Sequence, residues 1–594
     1  MQAFTTRPEI RGTFGVVAST HWIASAVGMS ILERGGNAFD AAVATGLTLQ
    51  IVEPHLNGPA GDLPAIFRSA RTGSTEVLCA QGVAPQGATI EHYRSLGLEL
   101  VPSSGLLATV VPGAWDGWML MLRDHGTMEL AEVIAPAIGY ARDGHPMLPR
   151  VAATIEGLAD HFAAEWPTSA AVWCRDGAPQ SHALFRNPDL AAAYQRLSDA
   201  AQGDTREARI DAAREAWSEG FVADAIEAYL AEAEVMDISG SRHRGVLSRT
   251  DMAGWEASYE VPLSIDYHGW QVCKTGPWGQ GPVLLQALQI LKRFDLAAMD
   301  PNGPEFVHTV IEAMNLAYAD REAYYGDPAH ADIPIERLIS HAYGAERAQL
   351  IGDRASMEQR PGRLQGYEHW ADAAIARAAR DFQVAAGADA GEPTMAHLTE
   401  RRGDTVHLDI IDADGNMVSA TPSGGWLQSS PVIPGLGFPL NSRAQMFWLD
   451  EGLPTSLAPG RRPRTTLTPS IAHKDGASLV FGTPGGDQQD QWQLIFFLRF
   501  VHHGPGLQQA IDAPLFHSQH FQSSFYPRAA KPGEMMIEPN VGEATIEDLR
   551  ARGHVVHVSE PWSIGRLTAA MREADGRLRA AATPRLMQAY AIGR

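Results

Sequence analysis

Cysteine is nearly missing from this chain of 594 residues. Cys79, Cys174 and Cys273 lie far apart with no CxxC pair, so a disulfide framework and a zinc ribbon are both excluded. Basic side chains are also scarce: 47 Lys plus Arg face 69 Asp plus Glu, a formal net charge of −22. Counterion-release binding of nucleic acid needs a basic surface, so no nucleic-acid partner is expected. Long apolar runs are lacking too. The richest, at 492–501, is about half of what a membrane helix requires. The first fifteen residues, MQAFTTRPEIRGTFG, carry no apolar stretch behind a basic start, so no secretory signal is read and the cytoplasm is the expected location. Although the chain has 22 His, none falls in HExxH, and the His502-His503 pair has no third ligand nearby, so no metal is expected. GxSxG is missing as well. Gly276-Pro277-Trp278-Gly279-Gln280-Gly281 lacks the Lys-Ser/Thr of a phosphate loop and reads as a turn opening a helix. No cofactor is expected.

What is present is the composition of a large globular protein, 45% hydrophobic and 20% charged, compatible with one large layered domain. Apolar spacing predicts a helix over 21–34 that stops at Gly35-Gly36. A second, buried helix follows, opened by the capping pair Asn37 and Asp40. Further helices are expected at 127–143, 189–202, 207–232, 281–294, 303–325 and 371–383, with few strands before 260. From about 355 to 404 the Gly, Pro and charged residues predict an exposed, mobile segment. A hairpin is then expected to begin at Thr405: Val406, Leu408 and Ile410 face one way, and Thr405, His407 and Asp409 the other. Asp412-Ala413-Asp414-Gly415-Asn416 forms its turn. That turn lacks the closing Glu of a calcium loop. Strands at 470–474 and 477–482 and a helix at 490–502 complete the pattern.

The chemically informative stretch is Gly403-Asp404-Thr405-Val406-His407. Cleavage between Asp404 and Thr405 would give Thr405 both a hydroxyl and a free α-amine. An α-amine titrates near pH 8, so it would serve as a general base beside a nucleophile that is inert alone. Gly482-Thr483-Pro484-Gly485-Gly486 would offer unhindered N–H groups for an oxyanion. On spacing alone, a threonine that merely opens a strand is the competing reading.

Several motifs in order resemble the γ-glutamyltransferase family of N-terminal-nucleophile hydrolases. They are Leu32-Glu33-Arg34-Gly35-Gly36-Asn37-Ala38-Phe39-Asp40-Ala41-Ala42, Val52-Glu53-Pro54-His55, Gly403-Asp404-Thr405-Val406-His407, Arg462-Pro463-Arg464-Thr465-Thr466 and Gly482-Thr483-Pro484-Gly485-Gly486. The resemblance implies a four-layer αββα sandwich made as a precursor that cuts itself between Asp404 and Thr405. Residues 1–404 and 405–594 would remain as an interlocked heterodimer, and a pair of such heterodimers is the family expectation. It also implies Thr405 as nucleophile, Ser423 as a second hydroxyl bonded to it, Gly485 and Gly486 as oxyanion donors, and Thr465 and Thr466 as substrate contacts.

The departures bear on substrate. Where the family places an arginine for the glutamate α-carboxylate, this chain has Gln81. Where it places an acid for the α-amine, the stretch reads Gln445-Met446-Phe447-Trp448. Its asparagine after the second hydroxyl is Gly425. Each missing charged clamp is worth roughly 1.5–3 kcal/mol, together about 10² to 10⁴ in affinity for a γ-glutamyl group. Trp426, Phe447 and Trp448 either line the cleft or belong to the core. The expected activity is hydrolysis of a small-molecule amide, as in the cephalosporin acylase and amidohydrolase branch. The alternatives are a true γ-glutamyltransferase or glutathione hydrolase, with Arg443 replacing the lost cation, and a non-catalytic binding protein on the same fold.

Overall fold

The computed structural model describes residues 4–380, 405–504 and 506–594. Two seven-stranded sheets stack face to face. One runs in the order Ile10–Gly12, Leu578–Ala582, Thr568–Arg572, Ala477–Gly482, Ser470–Lys474, Trp270–Lys274, Leu263–Tyr267. The other runs Tyr590–Gly593, Gly15–Ser19, Leu408–Asp412, Met417–Ala420, Leu63–Arg68, Thr75–Ala80, Ser258–Glu260. Side-chain alternation builds the layers. Val16, Ala18, Ile66, Ile411 and Met417 of the second sheet meet Ile471, Val480, Ala570 and Ala580 of the first. Val17, Phe67, Leu408, Ile410 and Val418 point outward and bury against helices Trp22–Glu33, Ala38–Val52 and Ala114–His125. Val272, Leu479, Phe481 and Ala569 cover the opposite face with Pro282–Leu291, Pro304–Tyr324 and Gln489–His503. This is the αββα sandwich.

Both opening helices form as the sequence predicts, and Asn37 and Asp40 make the expected reciprocal capping box. Other expectations are corrected. Strands are not scarce before 260: segments such as Gly15–Ser19, buried throughout, lack polar alternation and so escape a period-two reading. Strands from both sides of residue 405 therefore interleave in both sheets. The helix expected over 207–232 is two, Arg206–Ser218 and Phe221–Glu232. Gly220 breaks it with φ −102° and ψ −147°. Ala114–His125 and Pro149–Glu165 were not anticipated.

In the segment expected to be exposed from 355, Met357, Glu358, Arg363, Gln365 and Gly366 are exposed, but parts of it are packed. Pro361, Gly362 and Leu364 are buried, Gly362 N–H donates to Asp320 Oδ1 at 2.7 Å, and helix Glu368–Ala378 buries Ala371, Ala374 and Arg377. Its remainder, with Asp404, lies outside the described residues.

The hairpin also differs in register. Ladder pairing begins at Leu408, opposite Ser19 and Ala420, while Thr405 makes an isolated antiparallel bridge to Ser423. Pro422 has no N–H to extend the ladder beyond Thr421; its carbonyl accepts from Val406 N–H at 3.1 Å. Thr405 is thereby held at the end of a central strand rather than within it.

Candidate active site

Thr405 is 1% exposed. Its Oγ1 donates to Ser423 Oγ at 3.3 Å and receives Gln489 Nε2 at 3.5 Å, and its carbonyl accepts from Arg566 Nη2 at 3.0 Å. The chain places Ser423 there by a close backbone crossing. Asp62 and Ser423 exchange backbone hydrogen bonds of 2.8 and 3.1 Å, and a Cβ on Gly61 would fall 2.0 Å from the Ser423 carbonyl oxygen. Gly424 and Gly425 then turn the chain away with φ of +75° and +65°, a region glycine enters without strain.

Below Thr405 the polar side of the strand is enclosed between the sheets. His407 Nδ1 lies 2.8 Å from Thr421 Oγ1, and its Nε2 lies 3.1 Å from Asp409 Oδ1. Thr568 donates to Asp409 Oδ2 at 2.6 Å. A Cβ on Gly482 would strike the His407 ring at 2.2 Å. The histidine thus ties the strand that follows Thr405 to the strand that leads into the glycine loop.

Gly485 has φ +127° and Gly486 +53°. The helix Gln489–His503 follows directly, so the loop sits at the positive end of its dipole. Among the described residues, no acceptor takes the N–H of Gly485 or Gly486. Gln489 couples this loop to two other parts of the site: while its Nε2 reaches Thr405, its Oε1 accepts from Thr468 N–H at 3.2 Å. Sequence reasoning missed Gln489, although Gln489, Gln491 and Gln493, buried on one apolar helix, were a legible anomaly. It also missed Arg566, for which no sequence signal existed.

The remaining predicted contacts fall in two groups. Gln81 Nε2 donates to the Pro463 carbonyl at 2.9 Å, which fixes the start of the Arg464-Thr465-Thr466 loop, and its Oε1 has no partner among the described residues. Thr465 bonds inward, its N–H to Trp278 O at 3.0 Å and its Oγ1 accepting from Leu467 N–H at 3.3 Å. The Thr466 hydroxyl is buried with no described partner. In the second group, both ends of the Gln445 amide are engaged, Nε2 by Ser442 Oγ at 3.3 Å and Oε1 by Tyr526 N–H at 3.3 Å. Trp448 packs with Leu100 and Leu453. Phe447 belongs to a separate core cluster, and Trp426 donates to Leu56 O at 2.9 Å. Arg443 joins this segment to Asp62, whose backbone pairs with Ser423: its Nε donates to Asp62 Oδ1 at 3.0 Å. This ion pair engages only Nε, and Nη1 and Nη2 of Arg443 are buried with no partner among the described residues.

Electrostatics around the site are dominated by burial. Glu53, against Thr20 Oγ1 at 2.6 Å and Arg566 Nη1 at 3.8 Å, is pushed up to about 7 by desolvation. Desolvation also raises Asp490 to about 6, although Lys274 lies 3.0 Å away. Lys274 itself is lowered by burial and bonds Thr468 O and Ser470 Oγ at 3.0 and 2.8 Å. This network supports the start of the helix behind the glycine loop. No cluster of three His, Cys, Asp or Glu side chains able to hold a metal occurs among the described residues, and none of their helices is long and apolar enough to cross a membrane.

Residues 24–593 match the family described as Gamma-glutamyltranspeptidase. The chain is 30% identical to the Glutathione hydrolase-like YwrD proenzyme of Bacillus subtilis (strain 168) over 97% of its own length and 98% of that protein's. It is also 30% identical to the Acylase ACY 1 proenzyme of Pseudomonas sp. (strain SE83), over 96% and 92%. Among solved structures, a variant of LmbA2991 superposes with a TM-score of 0.91 at 51% identity, covering 100% of both chains. The cephalosporin acylase from Bacillus halodurans superposes with 0.82 at 27% identity, covering 100% and 98%. With its two-sheet sandwich and this near end-to-end match, the chain belongs to the gamma-glutamyltranspeptidase family of N-terminal-nucleophile enzymes that cleave amide bonds.

Proposed function

We propose that this protein is a self-processing amidohydrolase whose nucleophile is Thr405 and whose substrate is a small-molecule amide outside the γ-glutamyl class. In maturation, Thr405 Oγ attacks the carbonyl carbon of Asp404, a C–O bond replaces the C–N bond, and the released nitrogen takes the proton to become the new α-amine. Water then hydrolyses the ester and frees residues 1–404 from 405–594, which remain together as a heterodimer in the cytoplasm. In turnover the α-amine accepts the hydroxyl proton as Oγ attacks the substrate carbonyl. It then returns that proton to the leaving amine, and water releases the acyl group. Ser423 holds the attacking hydroxyl, while Gly485 and Gly486 N–H groups stabilise the oxyanion. Thr465, Thr466, Gln81, Gln445 and Trp448 border the substrate.

The observation that carries this reading is the Thr405 hydroxyl, buried between Ser423 and Gln489 at the end of a central strand. The neutral Gln81, engaged by Pro463, supports a preference away from γ-glutamyl groups. Intact-mass spectrometry tests the first part. The unmodified protein is expected as two fragments, the smaller beginning at Thr405, and Thr405→Ala as one uncut chain. An unmodified chain that stays whole on incubation would leave only a binding role. Turnover of γ-glutamyl p-nitroanilide at rates equal to or above simple acyl anilides would favour the γ-glutamyltransferase alternative.

A further inference from the structure

Beside the glycine loop, four arginines are buried with too few carboxylates among the described residues to balance them. Arg321, Arg377, Arg464 and Arg528 are each 2% exposed or less, and the described acids packed among them are Glu322 and Asp487. Arg321 pairs with both, with Glu322 at 2.9 Å, and Arg464 takes Glu322 at 2.7 Å and Ser524 Oγ at 3.0 Å. Among the described residues, Arg377 and Arg528 are left with backbone carbonyls as their hydrogen-bond acceptors. Arg377 Nη2 donates to Glu322 O at 3.0 Å, and Arg528 Nη2 donates to Gln445 O and Phe447 O at 2.7 and 3.0 Å. Nε and Nη1 of both have no partner among the described residues, and both guanidinium groups lie against the Trp448 ring, 5.2 and 4.5 Å from its centroid. The nearest further charges, Arg380 and Asp450, pair with each other at 2.9 Å.

Buried ions without partners are costly, by several kcal/mol each even after relaxation. Burial accordingly lowers Arg377 to about 10 and Arg528 to about 9. A surplus of this kind persists where an anion completes it. The cluster is also wired to the proposed active centre. Arg321 Nη1 donates to Gln280 Oε1 at 2.8 Å, and Gln280 Nε2 donates to Gly486 O at 3.1 Å. Arg464 immediately precedes Thr465 and Thr466, and Arg528 holds the backbone of the segment from Gln445 to Trp448.

We propose that Arg377 and Arg528 form a subsite for an anionic group of the amide substrate, a carboxylate or an oxyanion of similar shape, seated against Trp448. This rests on Thr405 being the nucleophile, since the subsite is defined relative to the amide it attacks. Planar guanidinium groups offer paired N–H donors that match a carboxylate.

The test uses the processed protein and three anilides: glutaryl p-nitroanilide, with its charge on the acyl side, pentanoyl p-nitroanilide, neutral, and butyryl 4-aminobenzoate, with its charge on the amine side. One charged substrate is expected to exceed the neutral one in kcat/KM by about 10-fold or more, and which one identifies the side that docks. Arg528→Gln and Arg377→Gln are expected to erase that preference, mainly through KM, with Arg528→Lys retaining part of it. Calorimetry with glutarate as the probe is expected to give binding that Arg528→Gln weakens by a similar factor. A protein that cuts itself and hydrolyses all three anilides without charge preference, with glutarate binding absent or indifferent to Arg528, overturns the subsite. An uncut protein that hydrolyses none of them overturns the Thr405 reading instead.

Discussion

Glu53 lies beneath Arg566, the residue that holds the Thr405 carbonyl, and its ionisation couples the stability of the fold to pH. The carboxyl is fully buried, and desolvation raises it from 4.5 to about 7 despite Arg566 and the Thr20 hydroxyl. Between these two values the folded protein binds a proton that the unfolded chain has released, so stability must fall as pH rises through this window. The cost of the ionised carboxylate is absent below about 4.5 and complete above about 7. A shift of this size corresponds to about 3 kcal/mol. Glu53→Gln keeps the shape and hydrogen-bonding reach of the side chain and removes its titration. Denaturant midpoints of the wild type and the variant, measured at pH 5 and pH 8, isolate the contribution, because every other group titrates alike in both. The variant is expected to gain on the wild type by about 2–3 kcal/mol between the two pH values. Parallel pH dependences would refute the assignment and imply that Glu53 ionises in the fold at an ordinary value, with Arg566 compensating the burial.

Two more outcomes follow from the site. Gln489→Leu strips the partner from Thr468 N–H and the donor from Thr405, and is expected to lower stability by about 1–3 kcal/mol and anilide kcat by at least about 10-fold, read by initial rates beside a melting curve. Lys274→Met leaves Asp490 buried beside Thr468 without its ion-pair partner, which is expected to cost about 3–5 kcal/mol in chemical denaturation. Lys274→Met combined with Asp490→Leu is expected to recover much of that loss.

The chain by itself determined a good deal. The capping residues Asn37 and Asp40, the stops at Gly35-Gly36, and the short alternating strands at 470–482 are local instructions, set by backbone and side-chain geometry within a few residues. The order of its motifs carried the sandwich and the candidates Thr405, Ser423, Gly485 and Gly486. Other features depended on contacts between distant residues. Gly15–Ser19 became a central strand because both its faces are covered, a condition no window of sequence displays. The end of the ladder at Leu408 came from Pro422 on the partner strand. Arg443 was an unpaired cation in sequence and one held through Nε in space, because the chain crossing at Gly61 carries Asp62 to it. Gln489 reaches Thr405 across a long gap in sequence, and the four arginines converge from separate elements upon two acids among the described residues. Burial turns that imbalance from an ordinary surface charge into a demand for an anion: desolvation depends on what surrounds a side chain, and only tertiary structure decides that.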